Sequence, residues 1–182
     1  MAIIVQKFGG TSVANAEQIR RTAQRIIDRM KAGFQVCVVA PARPHQIEEL
    51  LRDARELNPN PPKRELDQLL STAEQQTVSL LAMALEAMGH KAISFTGSQI
   101  HMLTDGVYSN AQIKSVDSEF IRRELNEGRI VIVAGYQGVD EHGNITSLGR
   151  GGSDTSAVAL AAALKAQECE IFSDVDGVYT AD

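Results

Sequence analysis

The chain has 182 residues, with a hydrophobic fraction of 43%, a charged fraction of 23% and a formal net charge of -5. These values are ordinary for a soluble globular protein, and the length suffices for one domain with a sizeable core. The negative charge argues against a nucleic-acid-binding protein, and no apolar run approaches the roughly 20 residues that span a membrane. The amino terminus does not resemble a signal peptide.

Apolar runs and helical periodicity alternate along the chain. Five runs are typical of buried strands: 2–7, 35–40, 91–95, 129–135 and 169–173. Five segments have the apolar spacing of helices: 16–31, 47–57, 66–88, 118–126 and 155–165. Residues 96–116 are expected to be irregular with strand-like pieces, and "DEHGN" (140–144) is typical of a hairpin turn. This order predicts an α/β fold with a mostly parallel sheet sandwiched between helices.

The chain has two cysteines, Cys37 and Cys169, and each lies in an apolar, strand-like run. Two buried thiols fit a reducing cytoplasm better than a disulfide framework, which needs more cysteines in a shorter chain. We therefore expect a cytoplasmic protein in which both thiols are buried.

Polar, glycine-rich segments follow four of the predicted strands, at the edge where open α/β sheets bind ligands. They are "KFGGTS", "APARPH", "GYQGVD" and "SDVDGVYTAD". A fifth segment, "SLGRGGSDTS" (147–156), leads into a helix, and its Ser153 and Asp154 are suitable N-cap residues. Its glycines let backbone N–H groups approach a ligand, while the helix end and Arg150 add positive charge. The fifth segment is therefore suited to hold an anion.

Each of these features also has an ordinary structural interpretation. Two glycines in a loop are most often a turn, and Glu74, in a helix rich in alanine and leucine, would usually face solvent. "DVDG" lacks the distal glutamate of a calcium-binding loop and is interpreted as a turn. The four histidines show no metal-ligand spacing, so no metal site made of protein ligands is expected.

No side chain stands out as a general base for a hydroxyl nucleophile. A carboxylate, with a reference pKa of about 4, is already ionised at neutral pH. Its phosphorylation requires positioning and cancellation of charge rather than removal of a proton. A site made from Lys7, Arg150, glycine N–H groups and a helix end has that character.

Five motifs occur in the order in which aspartate kinases carry them. They are "KFGGTSV", "STAEQ", "FTGSQ…TDG", "LGRGGSDTSAVALAAAL" and "SDVDGVYTAD". Through nearly all of its length the chain resembles aspartate kinases, which belong to the amino acid kinase superfamily. The first and fourth motifs together are highly specific for this family.

The resemblance implies transfer of the γ-phosphate of ATP, carried as its Mg²⁺ complex, to the side-chain carboxylate of L-aspartate. This reaction is the entry step to lysine, threonine and methionine biosynthesis. The resemblance also implies a cytoplasmic homo-oligomer that uses neither nucleic acid nor membrane. Residues 1–182 would be the N-terminal, substrate-binding portion of the kinase domain, without the remaining nucleotide-binding part or the ACT domains.

The resemblance further implies roles for matching positions. Lys7 and Asp154 would be the catalytic residues, with Lys7 neutralising the transferred phosphoryl group and Asp154 orienting Lys7. Glu74 would hold the α-ammonium group of the substrate, and Arg150 would grip one of its carboxylates. The implied substrate loop continues with Gly151, Gly152 and Ser153. The implied nucleotide contacts are Lys7, Gly9, Gly10, Thr11, Ser12, Ser173, Asp174 and Tyr179.

Two short stretches depart from the pattern of aspartate kinases. Where they usually have Val-Ser-Ala-Met, this chain has Val39 and then Ala40-Pro41-Ala42, which removes a hydroxyl and an N–H donor. Their Thr-Gly-Glu is Thr-Ala-Glu here, and if that glycine needs a positive φ, Ala73 would misplace Glu74. Two alternatives therefore stay open: a degenerate, non-catalytic domain that binds an amino acid or a partner kinase, and a sibling kinase acting on glutamate, carbamate or a nucleotide.

Overall fold

The computed structural model describes residues 1–149 and 151–173. Its strands are β1 (Ile3–Lys7), β2 (Gln35–Ala40), β3 (Ala92–Phe95), β4 (Leu103–Thr104), β5 (Ile113–Ser115), β6 (Ile130–Ala134), β7 (Gln137–Val139), β8 (Ile145–Ser147) and β9 (Glu168–Ile171). Its α-helices are α1 (Ala16–Lys31), α2 (Gln46–Leu57), α3 (Lys63–Ala87), α4 (Ser118–Asn126) and α5 (Gly152–Ala163). All ten predicted strands and helices are present, and their ends shift by three residues at most.

Five strands form a fully parallel first sheet in the order β3-β6-β2-β1-β9. The central strands β2 and β6 are continuous apolar runs because both of their faces are covered. The chain passes from β1 to β2 on one side, whereas β9 pairs with β1 on the other. The carboxyl end of β1 is therefore a switch point of the kind where α/β sheets bind ligands.

Helices pack on both faces of the first sheet, which confirms the predicted fold class. On one face, apolar side chains of α1 and α3 meet alternate residues of the strands, including Ile4, Val38 and Ile132. On the other face, α4 and α5 pack against the intervening residues, including Val5, Val39 and Val133. This alternation follows from the period of two along each strand. The result is three layers with the carboxyl strand ends open at one edge.

A second, smaller sheet has the order β5-β4-β7-β8 and lies against α3. Its strands have only two or three residues each, too few to show a hydrophobic period. The predicted turn in "DEHGN" connects β7 to β8, which pair antiparallel. Asp140 holds this turn, because its Oδ1 accepts hydrogen bonds from the backbone N–H groups of His142 and Asn144.

The two cysteines differ in environment, so the prediction that both are buried is wrong. Cys37 lies in the central strand β2, where complete burial raises the pKa of its thiol to about 12. Cys169 lies in β9 and is exposed. Within the described part of the chain, β9 is the last strand of its sheet, and an edge strand has fewer neighbours to cover its side chains.

The helix α5 begins earlier than predicted, at Gly152. Its N-cap is Gly151, with φ of +75°, whereas Ser153 and Asp154 lie within the first turn rather than at the cap. A carboxylate in the first turn is still favourable, because it faces the positive end of the helix dipole.

Across 1–149 and 151–173, none of the helices has both the length and the apolar character that crossing a bilayer requires.

Candidate active site

Lys7 and Asp154 form an ion pair at the carboxyl edge of the first sheet, with 2.7 Å between Nζ and Oδ1. Lys7 is the last residue of β1, and Asp154 lies in the first turn of α5, so the pair joins the switch point to a helix N-terminus. The Lys7 side chain is only 13% exposed, against 50% for Asp154. An ammonium group held in this way stays aimed at the cleft and can cancel the charge of an incoming anion.

A cleft of about 240 Å³ opens beside this ion pair. The described residues that line it are Lys7, Pro41, Tyr136, Gly149, Gly151, Gly152, Ser153 and Asp154. Sites for drug-sized ligands usually measure roughly 300–1,000 Å³, so this cleft suits a smaller molecule. Both Gly149 and Gly151 have positive φ, which lets the chain turn tightly along the cleft wall.

The "KFGGTS" segment leads from the end of β1 into a short 3₁₀ helix, Gly10–Val13. A Cβ atom on Gly10 would lie 3.4 Å from the carbonyl oxygen of Ala42, and one on Gly9 would lie 3.5 Å from that of Phe172. The two glycines thus fit between the segments that follow β2 and β9. The loop is positioned for a ligand that bridges these strand ends.

Two further contacts fix this loop in place. The rings of Phe8 and Phe172 stack with centroids 4.7 Å apart, which links the segments after β1 and β9. The hydroxyl of Thr22 on α1 donates a 2.7 Å hydrogen bond to the carbonyl oxygen of Ser12. The loop is therefore held from both the sheet and the first helix, as a preorganised binding element requires.

Glu74 lies on α3 and is buried, with only 3% of its surface exposed. The ordinary interpretation, in which this glutamate faces solvent, is therefore wrong. Loss of hydration raises the pKa of its carboxyl group to about 8, although hydrogen bonds from its own N–H and that of Ala42 act in the opposite direction. Its Oε2 is buried and has no hydrogen-bond partner among the described residues. A buried carboxyl oxygen without a partner is suited to receive a ligand donor.

Glu74 is adjacent to the cleft without lining it. Its charge contributes to the raised pKa of Tyr136, a cleft residue, and Ala42 follows directly after Pro41 of the cleft wall. The Glu74 carboxyl group is therefore close to Tyr136 and to the segment after β2, both of which contribute to the cleft wall.

The departures from the family pattern have different consequences. Ala73 lies within α3 and has an ordinary helical backbone, so the condition under which it would misplace Glu74 is not met. Ala40 is fully buried at the end of β2, and Pro41 lines the cleft. The position where aspartate kinases carry a hydroxyl is therefore a buried alanine next to the cleft wall rather than part of it.

Tyr136 is a cleft residue that sequence reasoning missed. It follows β6, lines the cleft and has φ of +68°, a conformation that is uncommon for a non-glycine residue and is often found at functional sites. Burial raises the pKa of its phenol. The available signal was its place in "GYQGVD", directly after a buried strand.

The structure brings only part of the predicted site into the cleft. Five predicted residues line it: Lys7, Gly151, Gly152, Ser153 and Asp154. The others within the described ranges do not line it: Gly9, Gly10, Thr11 and Ser12 follow β1, Ser173 follows β9, and Glu74 lies on α3. Arg150, Asp174 and Tyr179 lie outside the described residues. No group of three or more potential metal ligands occurs in the described ranges.

Comparison with known proteins identifies relatives along the whole chain. The profile of the amino acid kinase family matches residues 2–182. The aspartokinase of Bacillus sp. (strain MGA3) is 56% identical over 182 residues, which are 100% of this chain and 44% of that protein. The aspartate kinase of Pseudomonas putida is 53% identical over the same length. The chain thus spans less than half the length of these curated relatives.

Solved structures with the same fold include the aspartate kinase from Synechocystis. It matches 100% of this chain and 30% of its own, with a TM-score of 0.84 and 48% identity. E. coli aspartokinase III, solved in complex with aspartate and ADP, matches 98% of this chain and 50% of its own, with a TM-score of 0.82 and 26% identity.

Proposed function

Because the chain belongs to the amino acid kinase family, we propose that it is the substrate-binding part of an aspartate kinase. In this proposal the cleft holds L-aspartate with its side-chain carboxylate next to the γ-phosphate of Mg²⁺-bound ATP. The observation that carries the proposal is the Lys7–Asp154 ion pair at the switch point of the sheet, beside the first turn of α5. The relatives named aspartokinase and the E. coli complex with aspartate and ADP support the choice of substrates.

The chemistry needs no general base. A side-chain carboxylate oxygen of aspartate attacks the γ-phosphorus, and the bond to the bridging oxygen of ADP breaks, which gives β-aspartyl phosphate and ADP. Negative charge accumulates on the transferred group, and the Lys7 ammonium neutralises it while Asp154 keeps Lys7 in place. Gly9, Gly10, Thr11 and Ser12 would contact phosphate oxygens from the adjoining loop.

Recognition of the amino acid is assigned to Glu74 and to the segment that leads into α5. Glu74 would accept the α-ammonium group on its unpartnered Oε2. Arg150, with Gly151, Gly152 and Ser153, would bind a carboxylate, for which a guanidinium fork is well suited. Ser173, Asp174 and Tyr179, which follow β9, would contact the nucleotide. We further propose that the enzyme acts as a cytoplasmic homo-oligomer.

Isothermal titration of the 182-residue chain tests this assignment. L-Aspartate should bind, whereas succinate, which lacks the ammonium group, should bind at least about tenfold more weakly because Glu74 then stays unpaired. Arg150→Lys keeps the charge but not the fork, and it should weaken aspartate binding nearly as much as Arg150→Ala. Equal binding of aspartate, succinate and asparagine would contradict the proposal.

A second candidate is a non-catalytic domain that binds an amino acid. The missing hydroxyl at Ala40 and the missing N–H donor at Pro41, which lines the cleft, favour it. A chimera separates the kinase from the non-catalytic domain. In it, this chain replaces the corresponding 182 residues of the Bacillus sp. MGA3 aspartokinase. Hydroxylamine traps any acyl phosphate that the chimera forms. Activity of the unaltered chimera supports the kinase. Activity that appears only with Ala40→Ser supports a domain that has lost catalysis.

A further inference from the structure

Asp67 on α3 is a fully buried carboxylate that connects this helix to the loop between β4 and β5 and to strand β8. Its Oδ2 accepts hydrogen bonds from the backbone N–H groups of Ser109 (2.8 Å) and Ser147 (2.9 Å). Its Oδ1 accepts from the hydroxyls of the same two serines, at 3.2 and 2.8 Å. Four hydrogen bonds to one buried carboxylate fix both serines on the helix.

Both serines flank the start of the substrate loop. Ser147 ends β8, two residues before Gly149, and its carbonyl oxygen accepts a hydrogen bond from Ala111. A Cβ atom on Gly149 would lie 3.4 Å from the carbonyl oxygen of Ser109 and 2.7 Å from Oδ1 of Asn110. Gly149 therefore packs directly on the segment that Asp67 holds, and its own carbonyl oxygen accepts from Gly152 at the start of α5.

The backbone around these contacts is unusual. Ser109 has φ of +68°, and Gly149 has φ of +74°. A serine in the left-handed region is held there at a cost, and such residues persist only where their surroundings impose the conformation. The two hydrogen bonds from Ser109 to Asp67 supply that constraint.

Asp67 and Glu74 are seven residues apart on α3, which places them on the same face of the helix two turns from each other. Between them, the carbonyl oxygen of Ser71 accepts a 3.0 Å hydrogen bond from the side chain of Gln137 in β7. One buried helix face thus carries both the proposed ammonium site and the anchor of the loop that would bind the carboxylate.

We propose that Asp67 is a positioning residue for substrate binding: it sets the place of the loop segment Gly149 and Gly151–Ser153 relative to Glu74. The inference rests on the proposed function, because it gives this loop the task of binding aspartate. It makes the buried carboxylate part of substrate recognition without any contact to substrate.

The test compares Asp67→Asn with Asp67→Ala. An asparagine oxygen at the place of Oδ2 can accept both backbone N–H groups, and its NH₂ group can donate to the two serine hydroxyls, which then act as acceptors. The asparagine variant therefore keeps the geometry while it removes the charge. The alanine variant leaves both N–H groups without a partner.

Two readouts are taken on the 182-residue chain: hydrogen exchange at the Ser147 and Gly152 amides, and the dissociation constant for L-aspartate by isothermal titration. In Asp67→Ala the exchange rate of both amides should be at least about tenfold higher than in the wild type. The dissociation constant for aspartate should also rise at least about tenfold. Asp67→Asn should stay within about threefold of the wild type in both. Succinate, which makes no use of Glu74, should lose less affinity than aspartate in Asp67→Ala.

Thr104→Val is the matched control. Thr104 is buried in β4 of the second sheet. Its hydroxyl forms hydrogen bonds with the Thr146 hydroxyl, the carbonyl oxygen of Val139 and the N–H group of Gly106, none of which lies on α3. This variant loses buried hydrogen bonds without releasing the loop, so aspartate binding and exchange at Gly152 should stay within about twofold of the wild type.

Three outcomes overturn the inference: unchanged exchange at Gly152 in Asp67→Ala, equal losses in Asp67→Asn and Asp67→Ala, or an equal loss in Thr104→Val. If the wild-type chain binds no aspartate, the proposed function fails instead. The exchange data then decide alone whether Asp67 positions the loop.

Discussion

Lys7 and Glu74 are the two ionisable groups on which the proposed chemistry depends, and their surroundings differ. Lys7 has its counter-ion, Asp154, at 2.7 Å before any ligand arrives. Glu74 has no counter-ion among the described residues, and burial raises its pKa to about 8 from an ordinary value of 4.5. The first group is ready to meet an anion, whereas the second should be mostly protonated at neutral pH until a cation reaches it.

Aspartate binding should therefore release close to one proton from Glu74 at pH 7, because the ammonium group favours the ionised carboxylate. The measurement is the enthalpy of aspartate binding in buffers of different ionisation enthalpy. The apparent affinity should rise with pH up to about 8, the pKa of Glu74, and then level off. Glu74→Gln should abolish the proton release, and equal release in both proteins would contradict the assignment.

The same shift makes a prediction for stability without ligand. A carboxyl group whose pKa is higher in the folded chain than in the unfolded chain stabilises the fold fully below pH 4.5, and this contribution is lost as the pH rises to about 8. Urea unfolding of the wild type should thus show a decline across this interval that Glu74→Gln lacks. Parallel pH profiles of the two proteins would contradict it.

At the scale of elements, α3 is the helix that organises the site. Its buried face includes four polar residues: Asp67, Ser71, Glu74 and Thr77. The hydrophobic pattern predicted the helix but could not identify this face, because these buried positions carry polar rather than apolar side chains. For the same reason, Glu74 received its role from family resemblance, and Asp67 received none.

Ala73→Gly should destabilise the chain by about 1 kcal/mol, because a glycine in a helix interior loses more conformational entropy than an alanine. Ala73 is fully buried in α3 and has no positive φ, so the substitution relieves no strain. Urea unfolding measures the change, with Ala87→Gly at the exposed end of the helix as the control. A gain in stability or in aspartate affinity would show that the alanine distorts the site.

The long strands of the first sheet could be predicted from the sequence, whereas the short strands of the second sheet could not be assigned. "QVCVVA" and "RIVIVAG" are long apolar runs, and they predicted β2 and β6 almost to the residue. The sequence predicted strand-like pieces in 96–116 and the hairpin turn at 140–144, but not that they belong to one second sheet, because β4, β5, β7 and β8 are too short to carry a pattern. Tyr136, which lies between β6 of the first sheet and β7 of the second, was not predicted as a site residue. Its place in the cleft depends on a positive φ, which the residue type does not indicate.

At the scale of the whole molecule, the two sheets carry different parts of the proposed site. The first sheet and its helices form the scaffold that presents Lys7, and the second sheet carries the loop at Gly149. The proposed site lies where the two sheets meet at α3 and α5.

The layered arrangement predicts unequal thiol reactivity. Cys37 is buried in the central strand β2, whereas Cys169 is exposed on β9, the edge strand of the same sheet in the described part of the chain. A thiol reagent should therefore modify one cysteine in the folded chain and two after unfolding in guanidinium. Cys169→Ser should remove the reaction of the folded chain, and Cys37→Ser should not. Reaction of both thiols at equal rates without denaturant would contradict the sheet order.

The central claim is that the Lys7 ammonium stabilises phosphoryl transfer to the carboxylate of aspartate. The most direct measurement is the rate of aspartyl hydroxamate formation by the chimera with the Bacillus sp. MGA3 aspartokinase, with and without Lys7→Ala. Lys31→Ala, which removes an exposed lysine of α1, is the control for loss of charge. Lys7→Ala should lower the rate at least about a hundredfold while aspartate still binds. An unchanged rate would contradict the account.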